Sequence, residues 1–335
     1  MIKISINGFG RIGRSALKIL LERHDVQVVA INDLSDPQTL AHLLKYDSSY
    51  GIYDKKISAT DHSIFINSRE VQVFCEKDPA RLPWHKLGID LVIEATGAFR
   101  DYHSNNAHLK AGAKKVIISA PAKDKKIKTI VLGVNEDSID PNDRIISNAS
   151  CTTNCIAPIL KILETTYGIK KVMMTTTHSY TPSQRILDAP AKDLRVARTA
   201  ATNIIPTSTG ASKTTSLLIP NLQEKFTGLS IRVPTPIVSL SDITAILNQP
   251  VTKEELNKLF IHLAKEPYYE GIITTTSSEL VSSDFIGDPH SCIIDLPLTD
   301  VVDGDMVKII AWYDNEWGYS NRLVELAVDF GKGAL

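Results

Sequence analysis

The stretch "INGFGRIGRS", residues 6–15, decides the fold. It closes a β-branched run, "IKISING", and opens an amphipathic run over residues 11–23, so it reads as strand, glycine turn and helix. Gly8, Gly10 and Gly13 stand in G-x-G-x-x-G spacing. The first glycine makes the tight turn, the second lets the backbone approach a pyrophosphate, and the third lets the helix close on the strand. The helix N-terminus then offers N–H groups and a partial positive charge to phosphates. Glycines alone mark only a turn. The next strand, "VVAIND", ends in Asp33, twenty residues after Gly13. A carboxylate there binds the adenosine ribose hydroxyls of NAD and repels the extra phosphate of NADP. The other role for Asp33 is a cap for the following helix, which Ser35 or Asp36 suits better. Strand, glycines and acid in register predict a nicotinamide dinucleotide site.

Working outward, strands and helices alternate through the first 150 residues, as a parallel sheet with helices on both faces requires. "LAHLLKYD" and "NNAHLKAGA" read as helices, and "LVIEATGAF", "KKVIISAPA" and "TIVLGVN" as strands. "SIFINSREVQVF", residues 63–74, reads as an inserted hairpin. The pattern then changes to long β-rich segments: "VMMTTTHSY", "LSIRVPTPIVSLSDITAIL", "GIITTTS", "CIIDLPL" and "MVKIIAWYD". These predict an α+β domain on a mostly antiparallel sheet. From Asn321, "NRLVELAVDF" regains a helical period and reads as a last helix returning to the first domain. The fold class expected is α/β, with residues 1–149 and 314–335 in a Rossmann-type dinucleotide-binding domain and 150–313 in an α+β catalytic domain.

Composition narrows the functional classes. At 335 residues, with 43% hydrophobic and 22% charged, the chain has room for two cored domains. The formal net charge of -1 gives no overall field to recruit nucleic acid or an anionic membrane. "AKDKKIK", residues 122–128, reads as a solvated loop. The N-terminus lacks a signal-peptide core and no apolar run is long enough to span a bilayer, so a cytoplasmic location is expected. Four cysteines make neither a disulfide framework nor a zinc site here, and no metal is expected.

One cysteine asks for a chemical reading. Cys151 lies in "SNASCTTNC", among hydroxyl and amide residues, just before the helical run "IAPILKIL". A thiol at a helix start should have a lowered pKa, and the hydroxyls around it suit an anion. Cys155, one turn on, suits plain packing. A nucleophilic thiol needs a base, and His178 in "TTTHSYT" stands at the end of a predicted strand. A buried core histidine is the plainer reading of His178.

Taken together, "INGFGRIGR", "LAHLLKYDS", "AGAKKVIISAPAKD", "SNASCTTNC", "HSYT", "NIIPTSTGASK", "RVPTP" and "WYDNEWGYSNR" resemble glyceraldehyde-3-phosphate dehydrogenase along the whole chain. The resemblance implies Cys151 as nucleophile and His178 as base, NAD as cofactor, and glyceraldehyde 3-phosphate and inorganic phosphate as substrates. It implies cofactor contacts from Arg11 and Ile12 beside Gly8, Gly10 and Gly13, and from Asp33, Lys77, Ser119 and Asn315. Thr181 and Arg232 would hold one phosphate, Ser150, Thr152, Thr209 and Gly210 the other, with Arg195 near both. Val196 follows Arg195 where many relatives have a second arginine, which predicts weaker anion binding if that position is the ligand. A homotetramer is the implied assembly. Two rival readings are an erythrose-4-phosphate dehydrogenase and an NAD-binding redox-sensing protein.

Overall fold

A computed structural model describes residues 1–333. The chain divides into two compact units: Met1–Ile130 with Glu136–Ala149 and the stretch from Ser320 on, and Val131–Asn135 with Ser150–Tyr319. The C-terminal division falls inside the helix Trp317–Lys332, so no loop marks it in the sequence. The last two residues of the expected 314–335 segment lie outside the described residues.

The first unit is built on a nine-stranded sheet. Seven neighbours are parallel, in the order Lys128–Thr129, Ile145–Ser147, Lys115–Ile118, Leu91–Glu94, Ile2–Asn7, Val26–Asn32 and Arg69–Phe74. Leu91–Glu94 is buried throughout, which is why Leu91, Val92 and Ile93 are consecutive apolar residues rather than an alternating set. Ser63–Ile66 pairs antiparallel with Arg69–Phe74, so the expected hairpin forms, and it extends the sheet at one edge. Ile2–Asn7 sits between Val26–Asn32 and Leu91–Glu94, and the chain leaves it first to one side and later to the other. That reversal opens a crevice at the carboxyl ends of the strands, where ligands of such sheets bind.

Two expected strands differ in the structure. Of "TIVLGVN", residues 129–135, only Thr129 belongs to a strand, Lys128–Thr129. Beyond it, the Val134 N–H bonds to Val131 O, the Val131 N–H bonds to Asn135 Oδ1, and Gly133 takes a positive φ of 79°. The backbone polar groups are satisfied by a turn, although Ile130, Val131 and Val134 are buried. "LSIRVPTPIVSLSDITAIL" splits into Phe226–Val233 and Ser239–Leu247, because Pro234 and Pro236 have no N–H for a ladder.

The sheet of the second unit runs Ile205–Ser208, Phe226–Val233, Ile169–Ser179, Ser239–Leu247, Met306–Tyr313, Cys292–Asp295 and Ile273–Thr276, with Asp300–Val302 also on Met306–Tyr313. Only two of its pairings are parallel, Ile169–Ser179 with Phe226–Val233 and Ile273–Thr276 with Cys292–Asp295. The parallel register sets His178 beside Arg232. The final helix starts four residues ahead of Asn321, because Asp314 Oδ1 accepts from the N–H groups of Glu316 and Trp317. Within the first unit its end is tied down by Lys115, whose Nζ reaches Phe330 O at 2.6 Å. No helix among the described residues is long and apolar enough to cross a membrane.

The glycine turn shows which glycines the fold itself requires. Gly8 has φ +93°, and a Cβ on Gly13 would lie 2.1 Å from Gly8 O. A Cβ on Gly10 meets nothing within 4 Å. Gly13→Ala should therefore lower the unfolding free energy by about 2 kcal/mol or more, and Gly10→Ala by less than about 0.5 kcal/mol. Urea denaturation of both variants checks the contrast.

Candidate active site

The first unit holds a cavity of about 360 Å³ at the carboxyl ends of its strands, lined by Gly8, Gly10, Asp33, Lys77, Thr96 and Phe99 among others. Asp33 is held in it by its neighbours, with Oδ2 accepting from the Phe9 N–H at 2.7 Å and Oδ1 from the Ser35 N–H at 3.0 Å. Asp36, not Asp33, caps the helix Pro37–Lys45, accepting from the Thr39 N–H at 2.9 Å. Gly10 occupies the cap position of the helix Arg11–Leu21 and brings no side-chain acceptor to it. The open space beside Gly10, the tight turn at Gly8 and a carboxylate at the second strand's end fit a dinucleotide. Arg11, Ile12 and Ser119 do not line this cavity. The Arg11 guanidinium pairs with Asp47 at 2.7 Å, and the Ser119 N–H bonds to Glu94 O.

In the second unit, the helix Cys151–Thr166 begins where Ser150 Oγ accepts from the Thr153 N–H at 3.1 Å. That cap is worth about 1 kcal/mol and puts Cys151 at the first helical position. His178 lies near the end of the strand Ile169–Ser179, and its Nε2 is 3.5 Å from Cys151 Sγ. Its Nδ1 lies 2.7 Å from Ser179 O and 2.6 Å from Arg232 Nη1. Arg232 Nη1 also donates to Ser179 O at 3.0 Å, while its buried Nε has no hydrogen-bond partner among the described residues.

The electrostatics correct one expectation. The helix start was expected to lower the pKa of Cys151, yet burial pushes the thiol up, and the Arg232 charge and the hydrogen bonds from Thr152 only partly offset it. Burial, and then Arg232, hold the His178 imidazole down at about 3. The pair is therefore an uncharged thiol beside an uncharged imidazole, arranged for proton transfer when sulfur attacks. Cys155 is fully buried, and burial raises its thiol well above the usual range.

Other expected residues are placed as follows. Thr152 Oγ1 lies 3.0 Å from Tyr313 Oη. Thr181 Oγ1 contacts Ser183 Oγ and Gln184 Oε1, at 2.9 and 3.0 Å. Thr209 Oγ1 accepts from the Ala211 N–H, and Gly210 caps the helix Ala211–Leu218. Arg195 is exposed in the loop after Thr181, with its backbone N–H given to Asp193 Oδ1 and its carbonyl accepting from the Arg198 N–H. Asn315 is buried, and its Oδ1 accepts from Ser179 Oγ at 2.9 Å and Ser239 Oγ at 3.1 Å. This fixes the amide with Nδ2 turned the other way.

Sequence reasoning missed Tyr313, whose hydroxyl bridges Thr152 and Thr176 and whose ring meets His178 edge-on at 6.0 Å. A signal existed: Val307, Ile309, Ala311 and Tyr313 share the buried face of their strand, as Met174, Thr176 and His178 do of theirs.

A sheet with a glycine turn at its switch point and a capped thiol beside an imidazole are the equipment of an NAD-dependent oxidoreductase. Residues 2–102 match the family model described as glyceraldehyde 3-phosphate dehydrogenase, NAD binding domain, and residues 150–315 match that of its C-terminal domain. The chain is 52% identical to the glyceraldehyde-3-phosphate dehydrogenase of Streptomyces coelicolor, over 98% of each chain. It is also 52% identical to glyceraldehyde-3-phosphate dehydrogenase 1 of Bacillus subtilis, over 100% of this chain and 99% of the relative. The same identity holds with the Geobacillus stearothermophilus enzyme, over 97% of each. The chain belongs to the glyceraldehyde-3-phosphate dehydrogenase family, and its cofactor is NAD.

The depressed imidazole makes stability depend on pH. Between its folded value of about 3 and the usual 6.5, the unfolded chain binds a proton at His178 that the folded chain does not. Stability from this residue is complete above 6.5 and is lost as the pH falls toward 3. At fixed protein concentration, urea denaturation at pH 7.5 and 5.0 should show the wild type losing up to about 2 kcal/mol more than His178→Asn.

Proposed function

We propose that Cys151 and His178 carry the family reaction: NAD-linked, phosphate-dependent oxidation of D-glyceraldehyde 3-phosphate to 1,3-bisphosphoglycerate. The single observation behind this reading is the 3.5 Å approach of Cys151 Sγ to His178 Nε2 at a helix start. Once Arg232 Nη1 leaves Nδ1 for the substrate's phosphate, the ring proton sits on Nδ1 and is given to Ser179 O, and Nε2 takes the thiol proton as sulfur bonds to the aldehyde carbon. The Cys151 N–H and the protonated Nε2 then meet the oxyanion, and Nε2 gives it the proton, leaving a thiohemiacetal hydroxyl and a neutral imidazole. NAD, when bound, supplies the hydride acceptor. His178 takes the hydroxyl proton as the thioester forms on Cys151. Phosphate oxygen attacks the thioester carbon, the C–S bond breaks, and the departing sulfur takes the proton from His178 Nε2, restoring the thiol and the neutral imidazole.

Gly8, Gly10, Asp33 and Lys77 would hold the adenosine and pyrophosphate end of NAD, with the helix start at Arg11 and Ile12. Ser119 and Asn315 are assigned to the nicotinamide end on the family resemblance, and Asn315 Nδ2 is the donor its fixed amide leaves to offer. Arg232 Nε, buried and without a partner among the described residues, suits a phosphate, with Thr181 and Arg195 completing that site. Ser150, Thr152, Thr209 and Gly210 are assigned to the attacking phosphate.

The assembly is a homotetramer in this reading. Its support lies in the second unit, where Ile186, Leu187, Leu194 and Ile204 are all more than 70% exposed within one loop segment. Met173, Leu229, Val302 and Met306 add a second exposed apolar set on the same sheet. No disulfide joins cysteines among the described residues, and the reducing cytoplasm is the compartment proposed.

Steady-state NADH formation tests the reaction. Glyceraldehyde 3-phosphate with NAD and phosphate should turn over continuously; without phosphate, only a burst near one NADH per subunit should appear. His178→Asn should lower kcat by about 10²–10⁴-fold. Faster turnover of erythrose 4-phosphate, or no requirement for phosphate, would overturn the reading. Sedimentation at micromolar concentration should give four chains per particle.

A further inference from the structure

A chain of buried polar groups crosses the first unit beneath the dinucleotide cavity, and none of the roles above uses it. Glu94 ends the strand Leu91–Glu94 and is buried, as is His108. Its Oε1 accepts from the Thr96 N–H at 2.8 Å and from Thr96 Oγ1. Its Oε2 accepts from Asn7 Nδ2 at 2.5 Å and lies 3.2 Å from His108 Nε2. Beyond the imidazole, Trp84 Nε1 is 3.0 Å from His108 Nδ1. An indole nitrogen can only donate, so Nδ1 accepts and the ring proton sits on Nε2, facing Glu94.

On the other side, Asn7 Oδ1 accepts from Asn32 Nδ2 at 2.7 Å. Asn32 in turn grips the backbone of Glu76, donating to its carbonyl and accepting from its N–H, both at 2.9 Å. With Asn7 Nδ2 committed to Glu94, each amide has a single orientation that satisfies both neighbours. Donation from both ends converges on one carboxylate.

Asn7, Asn32, Glu76 and Thr96 line the cavity, whereas Glu94, His108 and Trp84 do not. Asn7 and Asn32 are the last residues of adjacent strands, and Glu76 and Thr96 each stand two residues beyond the strand on either side of them. The tolerance there is small: a Cβ on Gly8 would lie 2.6 Å from the Thr96 nitrogen. A shift of Thr96 therefore moves the wall against which the glycine turn is seated.

We propose that Glu94, presented by His108 and Trp84, is the positioning residue of the dinucleotide cavity, setting NAD affinity without touching NAD. The proposal rests on the assignment of this cavity to NAD. Trp84 is anchored in a hydrophobic cluster with Val92, Val116 and Ile118, so the indole is a rigid far support for the ring.

Calorimetric titration of the full-length protein with NAD, with thermal unfolding followed in parallel, tests it. His108→Gln keeps a donor toward Glu94, whereas His108→Leu keeps bulk without one. Glu94→Gln sets an amide N–H among groups that all donate. His108→Leu and Glu94→Gln should weaken NAD about tenfold or more and raise the NAD KM in step, with kcat at saturating NAD within about twofold. His108→Gln should stay within about threefold of wild type. Trp84→Phe, which removes the N–H together with part of the ring's volume, should weaken NAD by about threefold to fivefold, with the packing loss read separately in the thermal unfolding. The proposal is overturned if His108→Leu binds NAD as tightly as His108→Gln, if Trp84→Phe leaves affinity unchanged, or if kcat falls together with affinity. Wild-type protein that fails to bind NAD would instead remove the cavity assignment beneath it.

Discussion

The approach of Cys151 Sγ to His178 Nε2 is held by two constraints that have nothing to do with sulfur chemistry. One is the Ser150 cap, which fixes where the helix Cys151–Thr166 begins. The other is the register of Ile169–Ser179, which turns Thr176 and His178 to the buried face and pairs His178 with Arg232. Neither constraint tolerates much drift. A helix start moved by one residue swings the thiol about 100° around the axis, and a strand slipped by one residue turns the imidazole to the other face. Tyr313 closes the arrangement by bonding to a residue from each element, Thr152 and Thr176.

Burial sets the character of the pair. An exposed helix start would favour a thiolate, but here desolvation outweighs the Arg232 charge and the hydrogen bonds from Thr152 together. The same burial, reinforced by the guanidinium at Nδ1, keeps the imidazole neutral. The consequence is a resting pair that stores no charge separation and a base that is ready throughout the neutral range. Charge develops only with attack, where the backbone N–H and the newly protonated ring can meet it.

Much of the first unit was legible because its signals are local. Gly8, Gly13 and Asp33 sit within one strand–turn–helix–strand passage, and steric need at Gly13 leaves little else that could stand there. Ser150 and Cys151 were legible for the same reason. What stayed hidden is separated in sequence and joined by pairing. Tyr313 meets Thr152 across 161 positions, and Asn7 meets Glu94 across 87. Apolar pattern also misled where backbone bonding decides: "TIVLGVN" has the composition of a strand, but its N–H groups close a turn. The direction of the Cys151 shift could not be read at all, since desolvation depends on what covers the sulfur.

The central claim is that the sulfur of Cys151 carries the substrate's acyl group. Mass spectrometry of protein mixed with NAD and glyceraldehyde 3-phosphate, without inorganic phosphate and quenched in acid, tests it most directly. The account predicts a 3-phosphoglyceroyl group on the peptide that contains Cys151, cleared when phosphate is added before the quench. An acyl group found on Cys75 or Cys292 instead, or NADH formed with no acylated peptide, would contradict it.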